Sequence, residues 1–459
     1  MPQIEEVAQS LAGKLKGGKA DYLEARFEET QNSQIVYRGK VLESIGRSTA
    51  SGGNVRALVK GGWGFTSFNS YEGLNDRIPL AVEQARAAGT GKSHLAAVEP
   101  SKETVPSSAA KDPTTVSLAE KKRLLDEYNE IIWSIPQIKT SHIQYSDGRK
   151  KVVFLNSEDS FITQERADVT LYLSAIAAKD GEVQQVLISM GSLGDFSKIT
   201  GLHKQVKEIA QNAVALLDAP QAKDGEYTVI LDPFLGGVFA HEAFGHLSES
   251  DFVYENDRLR EIMELGKQFG DKHLNIVDSA SDPAGMRGSY KYDDEGTPSV
   301  KTYLIREGKL VGRLHSRETA AKMNEKPTGN ARAVSYRFPP IVRMTNTYIE
   351  PGAMSFQDII ADIKEGIYAR KMYGGTTAME MFTFSAGEAF MIRNGKIAEA
   401  LRPVKLTGNV FNTLQNIDAI GNDLGMNQGG GCGKGEQMPL PVSTGSPHIR
   451  IRHCLIGGK

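Results

Sequence analysis

Apolar residues at Ile4, Val7, Leu11 and Leu15 recur every three or four positions, a spacing that predicts a surface helix with one face on a sheet. The segments DYLEARFEE, SQIVYRG and NVRALVKGGWGFTSF then alternate apolar and polar positions or carry glycine turns, as in an antiparallel meander. A second helix is expected over roughly Leu74 to Ala88. The stretch 89–116 is rich in Pro, Ser, Thr and Lys, has no sustained period, and reads as a linker or long loop. Ser117 and Glu120 have capping-box spacing at the head of a helix in which Leu124, Leu125, Tyr128, Ile131 and Ile132 repeat with helical period. Behind it, HIQYSDGRKKVVFLNS and FITQERADVTLYLSAIAAKDGEVQQVLISM read as strands, with hairpin turns expected at Asp147-Gly148 and Asp180-Gly181. A helix from about His203 to Leu217 closes the block.

Helix, meander and helix thus occur twice, about 115 residues apart, on the length scale of a small domain. The order of elements predicts an N-terminal domain over 1–224 made of two architectural repeats, 1–88 and 117–217, joined by the linker 89–116. Element order alone carries this, and two unrelated α+β subdomains fit the same pattern. From EYTVILDP onward the character changes. A buried strand runs into LGGVFAHEAFGHLSESDF, and later segments are glycine-punctuated strands, with hairpins about the EGK of YLIREGKLVGRL and the NGK of EAFMIRNGKIAEAL. A short helix is expected after Ser355. The fold class expected is therefore α+β: a duplicated helix/antiparallel-meander domain, then a mostly β domain over 225–459 that carries the histidine-bearing helix.

Charge and composition narrow the partners. Fifty-four Lys plus Arg against 56 Asp plus Glu give a formal net charge of −2, so no cationic excess exists for tracking nucleic-acid phosphates. The apolar runs fall short of the ~20 residues a membrane span needs, and MPQIEEVAQSLAGKLKGG lacks a secretory apolar core. A cytoplasmic protein with no membrane and no nucleic-acid partner is expected. Two cysteines, Cys432 and Cys454, cannot staple a chain of 459 residues and are expected as thiols.

The candidate chemistry gathers in few places. GTGKS at 89–93 fails as a phosphate loop, because Arg86 stands where its first glycine belongs and a helix precedes it. QGGGCGKGE at 428–436 lacks the Ser or Thr that would hold magnesium. His241-Glu242-Ala243-Phe244-Gly245-His246 is the informative segment, a zinc-protease-like pair of imidazoles with a Glu beside the first, lengthened by one residue. On a regular α-helix residues five apart differ by about 140° of rotation, against about 40° for residues four apart. Both imidazoles reach one ion only if the helix widens locally, π-fashion, and Gly245 tolerates departure from helical dihedrals. From the pattern alone, a capping or core histidine pair fits equally well. A third ligand would come from Glu249, Asp251 or, better, Cys432, a potential thiolate flanked by glycines that permit close approach. Cys454, in the apolar IRHCLIGG, reads as a small buried apolar residue. Lys434 reads as a solvated surface lysine, with a thiolate- or oxyanion-stabilising role as the alternative.

The blocks HEAFGHLSESDF, YKYDDEGTPSVKTYLI, KPTGNARA, PPIVRMTNTYIEPG, GNDLG and CGKGEQMPLPVSTGSPHIRI, in this order, closely resemble the TldD/PmbA family of metalloproteases, in its TldD-type, metal-bearing branch. The resemblance covers roughly 225–459. It implies a zinc site at His241, His246 and Cys432 with Glu242 catalytic, and a dimer whose second subunit is an identical chain or a zinc-less PmbA-type relative. It also implies unstructured polypeptides or peptide precursors as substrates. From the residues themselves, Glu242 beside a ligand suits a general base in zinc-dependent peptide hydrolysis. A β-rich wall could receive an extended peptide as an added strand, with KYDDEGT and RMTNTY either lining the groove or forming turns. Two rivals stand beside this reading: a peptide-binding or regulatory subunit with a structural or absent metal, and a Cys432 nucleophile with His448 or His453 as base.

Overall fold

The computed structural model describes residues 4–89, 91, 93–378 and 380–457. Thr90 and Lys92 of the GTGKS segment lie outside the described residues. The first helix, α1 (Ile4–Lys16), buries Ile4, Val7, Ala8, Leu11 and Leu15. Strands β1 (Tyr22–Arg38), β2 (Val41–Val59) and β3 (Gly62–Phe68) form the expected antiparallel meander, and α2 (Leu74–Ala88) returns over it. The second block repeats this order. After the short strand β4 (Lys102–Val105), α3 (Leu118–Trp133) starts at Ser117, whose hydroxyl accepts the Glu120 N–H at 3.1 Å. Then come β5 (Ile138–Asn156), β6 (Phe161–Lys179), β7 (Glu182–Ser192) and α4 (His203–Ala215).

The two meanders join edge to edge through antiparallel β1 and β5, giving one seven-stranded sheet in the order β3-β2-β1-β5-β6-β4, with β7 also on β6. Side chains alternate faces along a strand. Leu23, Ala25, Phe27 and Ile35 of β1, with Tyr145, Val153 and Leu155 of β5, face the four helices and build two apolar cores. Glu24, Arg26 and Glu28 point to the opposite face, where the C-terminal half packs.

Two expectations are corrected here. Asp147-Gly148 is not a hairpin turn, because β5 runs straight through it, paired with Ser33 and Asn32 of β1 and with Val169 and Asp168 of β6. Asp147 is spent on a fully buried ion pair with Lys121 of α3 at 2.6 Å, and a side chain at Gly148 would collide with Asn32. The stretch 89–116 is not a bare linker, since β4 adds to β6 as a parallel edge strand and Asp112 caps a short turn at Pro113–Thr115. The Asp180-Gly181 hairpin is present, with φ of 52° and 85° at its two residues.

In the C-terminal half, β8 (Gly225–Leu231) lies inside a second seven-stranded sheet, between a parallel strand at Glu365–Ala378 and an antiparallel one at Ile449–Gly457. A six-stranded sheet, including Ile276–Asp278, Asn346–Ile349 and Ser443–Ser446, stands against it across a shared apolar core. Hairpins at Glu307-Gly308 and Asn394-Gly395 match the EGK and NGK readings, and Ser355 caps the helix Phe356–Ile360. Among the described residues no helix is long and apolar enough to cross a membrane.

Candidate metal centre

At the end of β8, Asp232 caps helix α5 (Pro233–Phe239) by accepting the Leu235 N–H at 2.8 Å, with Pro233 at the first turn where no N–H is needed. Gly237 lets this helix press onto the strand Ser443–Ser446; a Cβ there would sit 2.5 Å from the Gly445 nitrogen. The helix then widens into a π-turn over Ala240–Gly245. This is the distortion that a five-residue histidine spacing requires, and it brings the His241 and His246 rings to 5.3 Å between centroids at 79°. Gly245 serves differently from expectation. Its φ of −58° and ψ of −50° are ordinary helical values, and glycine is needed because any side chain would collide with Met344.

Cys432 arrives on a hairpin of Gly431–Lys434 and Gln437–Pro441. Fully buried Arg343 fixes that hairpin by donating to the Cys432 carbonyl at 2.7 Å and the Gln437 carbonyl at 3.1 Å. Cys432 Sγ lies 3.5 Å from His246 Nε2, and ligand atoms of His241, His246 and Cys432 all fall within 4.8 Å of one another. Burial disfavours a Cys432 thiolate, but the imidazoles of His241 and His246 outweigh it and hold the thiol down to about 5. Conversely, burial is overcome at His246 by Cys432 and Glu249, which push it up to about 10, and His241 is raised against burial chiefly by Cys432. A soft sulfur and two imidazoles form a donor set suited to zinc, and the buried His241 Nδ1 has no hydrogen-bond partner. The residues fit such an ion.

The other candidates sort by contact. The Glu242 side chain is 31% exposed, and its carboxylate lies 3.8 Å from His246 Nε2. Glu249 accepts from His246 Nδ1 at 3.1 Å, on the ring edge away from Cys432, and Asp251 is paired to Lys434 at 2.7 Å. Lys434 is not a solvated lysine. Its side chain is 8% exposed and also pairs with Glu249 at 3.2 Å. His448 is engaged by Tyr368 and Asp423 and His453 by Glu226, whereas His241 and His246 face the Cys432 thiol. Cys454 is an isolated buried thiol raised to about 12 by burial.

KYDDEGT is a mostly buried turn, and RMTNTY is buried and runs into the sheet strand Asn346–Ile349. Asp293 accepts the N–H groups of Glu295, Thr297 and Ala331, while Thr345 and Thr347 hydrogen-bond Asp278. Sequence reasoning missed Arg343, for which no local signal exists. It also missed that Glu249 backs His246, although a spacing of three residues, one helical turn, hinted at it.

Domain models of the PmbA/TldA metallopeptidases match along the chain: domain 1 over residues 23–89, the central domain over 111–217 and the C-terminal domain over 224–458. A metalloprotease of Synechocystis is 45% identical over 96% of this chain and 95% of its own. A zinc metalloprotease TldD homolog of Saccharolobus solfataricus is 34% identical over 70% and 72% of the two chains. TldE from Thermococcus kodakarensis shares the fold, with a TM-score of 0.75 over 98% of this chain and 100% of its own at 18% identity. The His-Glu motif, the hairpin cysteine and these matches over all three parts of the chain converge: it belongs to the TldD/PmbA family of metalloproteases.

Proposed function

We propose that this protein is a zinc-dependent peptidase that hydrolyses peptide bonds in extended or unstructured polypeptides, with His241, His246 and Cys432 as metal ligands and Glu242 as general base. The observation that carries this reading is the convergence of three donor atoms within 4.8 Å across a π-turn and a hairpin that are 186 residues apart at His246 and Cys432. Zinc held there would supply a Lewis acid for the scissile carbonyl. Glu242, partly exposed beside His246, takes the proton of the attacking water on its carboxylate oxygen and returns it to the departing amine. His241 and Cys432 are 3% and 4% exposed, which favours a substrate strand that can be threaded over one in a folded domain.

Two free cysteines accord with a reducing, cytoplasmic setting. The proposed assembly is a dimer, either of this chain or with a zinc-less relative of the PmbA type, and the TldE-like fold is a hint toward such a partner. A denatured protein substrate tests the activity. Cleavage should stop with a chelator, return with Zn²⁺ and be lost in Glu242→Gln while the metal stays bound. Cleavage that survives chelation and stops on alkylation of Cys432 would replace the reading with a thiol nucleophile, and no cleavage with any partner would leave a binding subunit.

A further inference from the structure

Behind the candidate ligands stand three charged side chains that do not face the space between them. Glu249 has no exposed side-chain surface, and its Oε2 lies 3.1 Å from His246 Nδ1 and 3.2 Å from Lys434 Nζ. Lys434 leaves the strand that carries Cys432 two residues further on. Its ammonium reaches both Asp251 carboxylate oxygens at 2.7 Å and the Val342 carbonyl at 2.9 Å, and lies 4.1 Å from the centre of the Phe252 ring. A carboxylate can only accept, so the hydrogen of the Glu249 contact belongs to His246 Nδ1. Nε2, 3.5 Å from Cys432 Sγ, is thereby the ring nitrogen turned toward the other donors, the one whose lone pair an ion would take on displacing its proton. A buried carboxylate without a cation is costly, and Lys434 supplies the cation. Glu249 and Asp251 follow His246 in the chain while Lys434 follows Cys432, so one ammonium ties together the two segments that provide the ligands.

We infer that Glu249, Lys434 and Asp251 form a latch that presets the His246 ring and locks the Cys432 hairpin to the π-turn, so that metal affinity depends on three positioning residues outside the ligand set. This rests on the proposed metal site. The full-length, metal-free protein is titrated with Co²⁺, whose thiolate charge-transfer absorption reports ligation by Cys432, and Zn²⁺ affinity is measured against a chromophoric chelator. Glu249→Leu and Lys434→Met should each weaken Zn²⁺ binding by about 10- to 100-fold. Glu249→Gln should lose less, because an amide oxygen still accepts from Nδ1, and Asp251→Asn, the mildest change, should show a smaller loss in a chain that stays folded. The double variant Glu249→Gln/Lys434→Met should recover most of the Lys434→Met loss, because the fully buried Glu249 carboxylate is then replaced by a neutral amide, while Asp251, 23% exposed, keeps contact with solvent. General unfolding would not be relieved that way. Affinities within twofold of the parent in all variants, or a double variant no better than Lys434→Met, would overturn the latch while leaving the metal site standing. An absence of thiolate absorption in the parent protein would overturn the site and the latch with it.

Discussion

The two faces of the N-terminal sheet are built on opposite principles. Toward the helices, Phe27, Tyr145, Val153 and Leu155 pack with Leu11 and Leu125 in apolar clusters. Toward the C-terminal half, the same sheet presents Glu24, Arg26, Glu28, Arg56, Lys150, Arg166 and Asp168. Arg56 bridges Glu24 at 2.9 Å and Glu295 at 3.2 Å, Arg26 meets Asp294 at 3.0 Å, and Arg287 clamps Asp168 at 2.6 Å. Apolar burial is strong and non-directional, so the helix face supplies stability. Ion pairs with fixed geometry add little net stability, but they admit one register between the two halves. That register reaches the candidate site, because Arg287 also donates to the Gly430 carbonyl, two residues before Cys432.

Breaking the helix face should have the largest effect. Phe27→Ala, at a fully buried position, is expected to cost about 3–5 kcal/mol in chemical denaturation. Metal affinity per folded molecule should stay near the parent value. On the charged face, Arg56→Met leaves Glu24 and Glu295 buried without their cation and should cost about 3 kcal/mol. A triple variant that also carries Glu24→Gln and Glu295→Gln should regain most of that loss, which would mark the pair as a device for register. The contrasting result, a triple variant as unstable as Arg56→Met, would mean the network contributes stability in its own right.

A smaller effect should appear on changing pH. Burial, together with the charge of Glu295 and against the pull of Arg56, raises the Glu24 carboxyl above its ordinary value. The folded state therefore binds a proton more tightly than the unfolded one. This contribution is fully present below the ordinary carboxylate range and is lost as pH rises from about 4.3 through the raised value. Comparing denaturation midpoints across that window, Glu24→Gln should show a shallower fall with pH than the parent. The smallest effect is expected at Ser117→Ala, which removes the cap of α3 far from the charged face and should cost about 1 kcal/mol, read as a shift in thermal midpoint.

Where local chemistry suffices, sequence and structure coincide. The apolar period places α1, glycine with its neighbour turns the chain at Asp180-Gly181, and Ser117 starts α3. The same signal misleads at Asp147-Gly148. There β1 and β6 offer continuous partners on both sides, and a buried lysine claims the aspartate, so pairing overrides turn preference. β4 was hidden because a short edge strand needs a partner to exist, and its partner β6 lies more than fifty residues away.

At the candidate site, the sequence by itself offered candidate donors and determined one piece of geometry. Histidines five apart demand a π-turn to share an ion, and that follows from helical rotation alone. The arrival of Cys432, the anchoring of its hairpin by Arg343 and the conversion of Lys434 from a surface cation into a buried counter-ion were decided only by the tertiary structure. The physical reason is range. Backbone rotation and side-chain period act within a few residues, whereas burial and charge pairing depend on neighbours brought from nearly two hundred positions away, which no local pattern records.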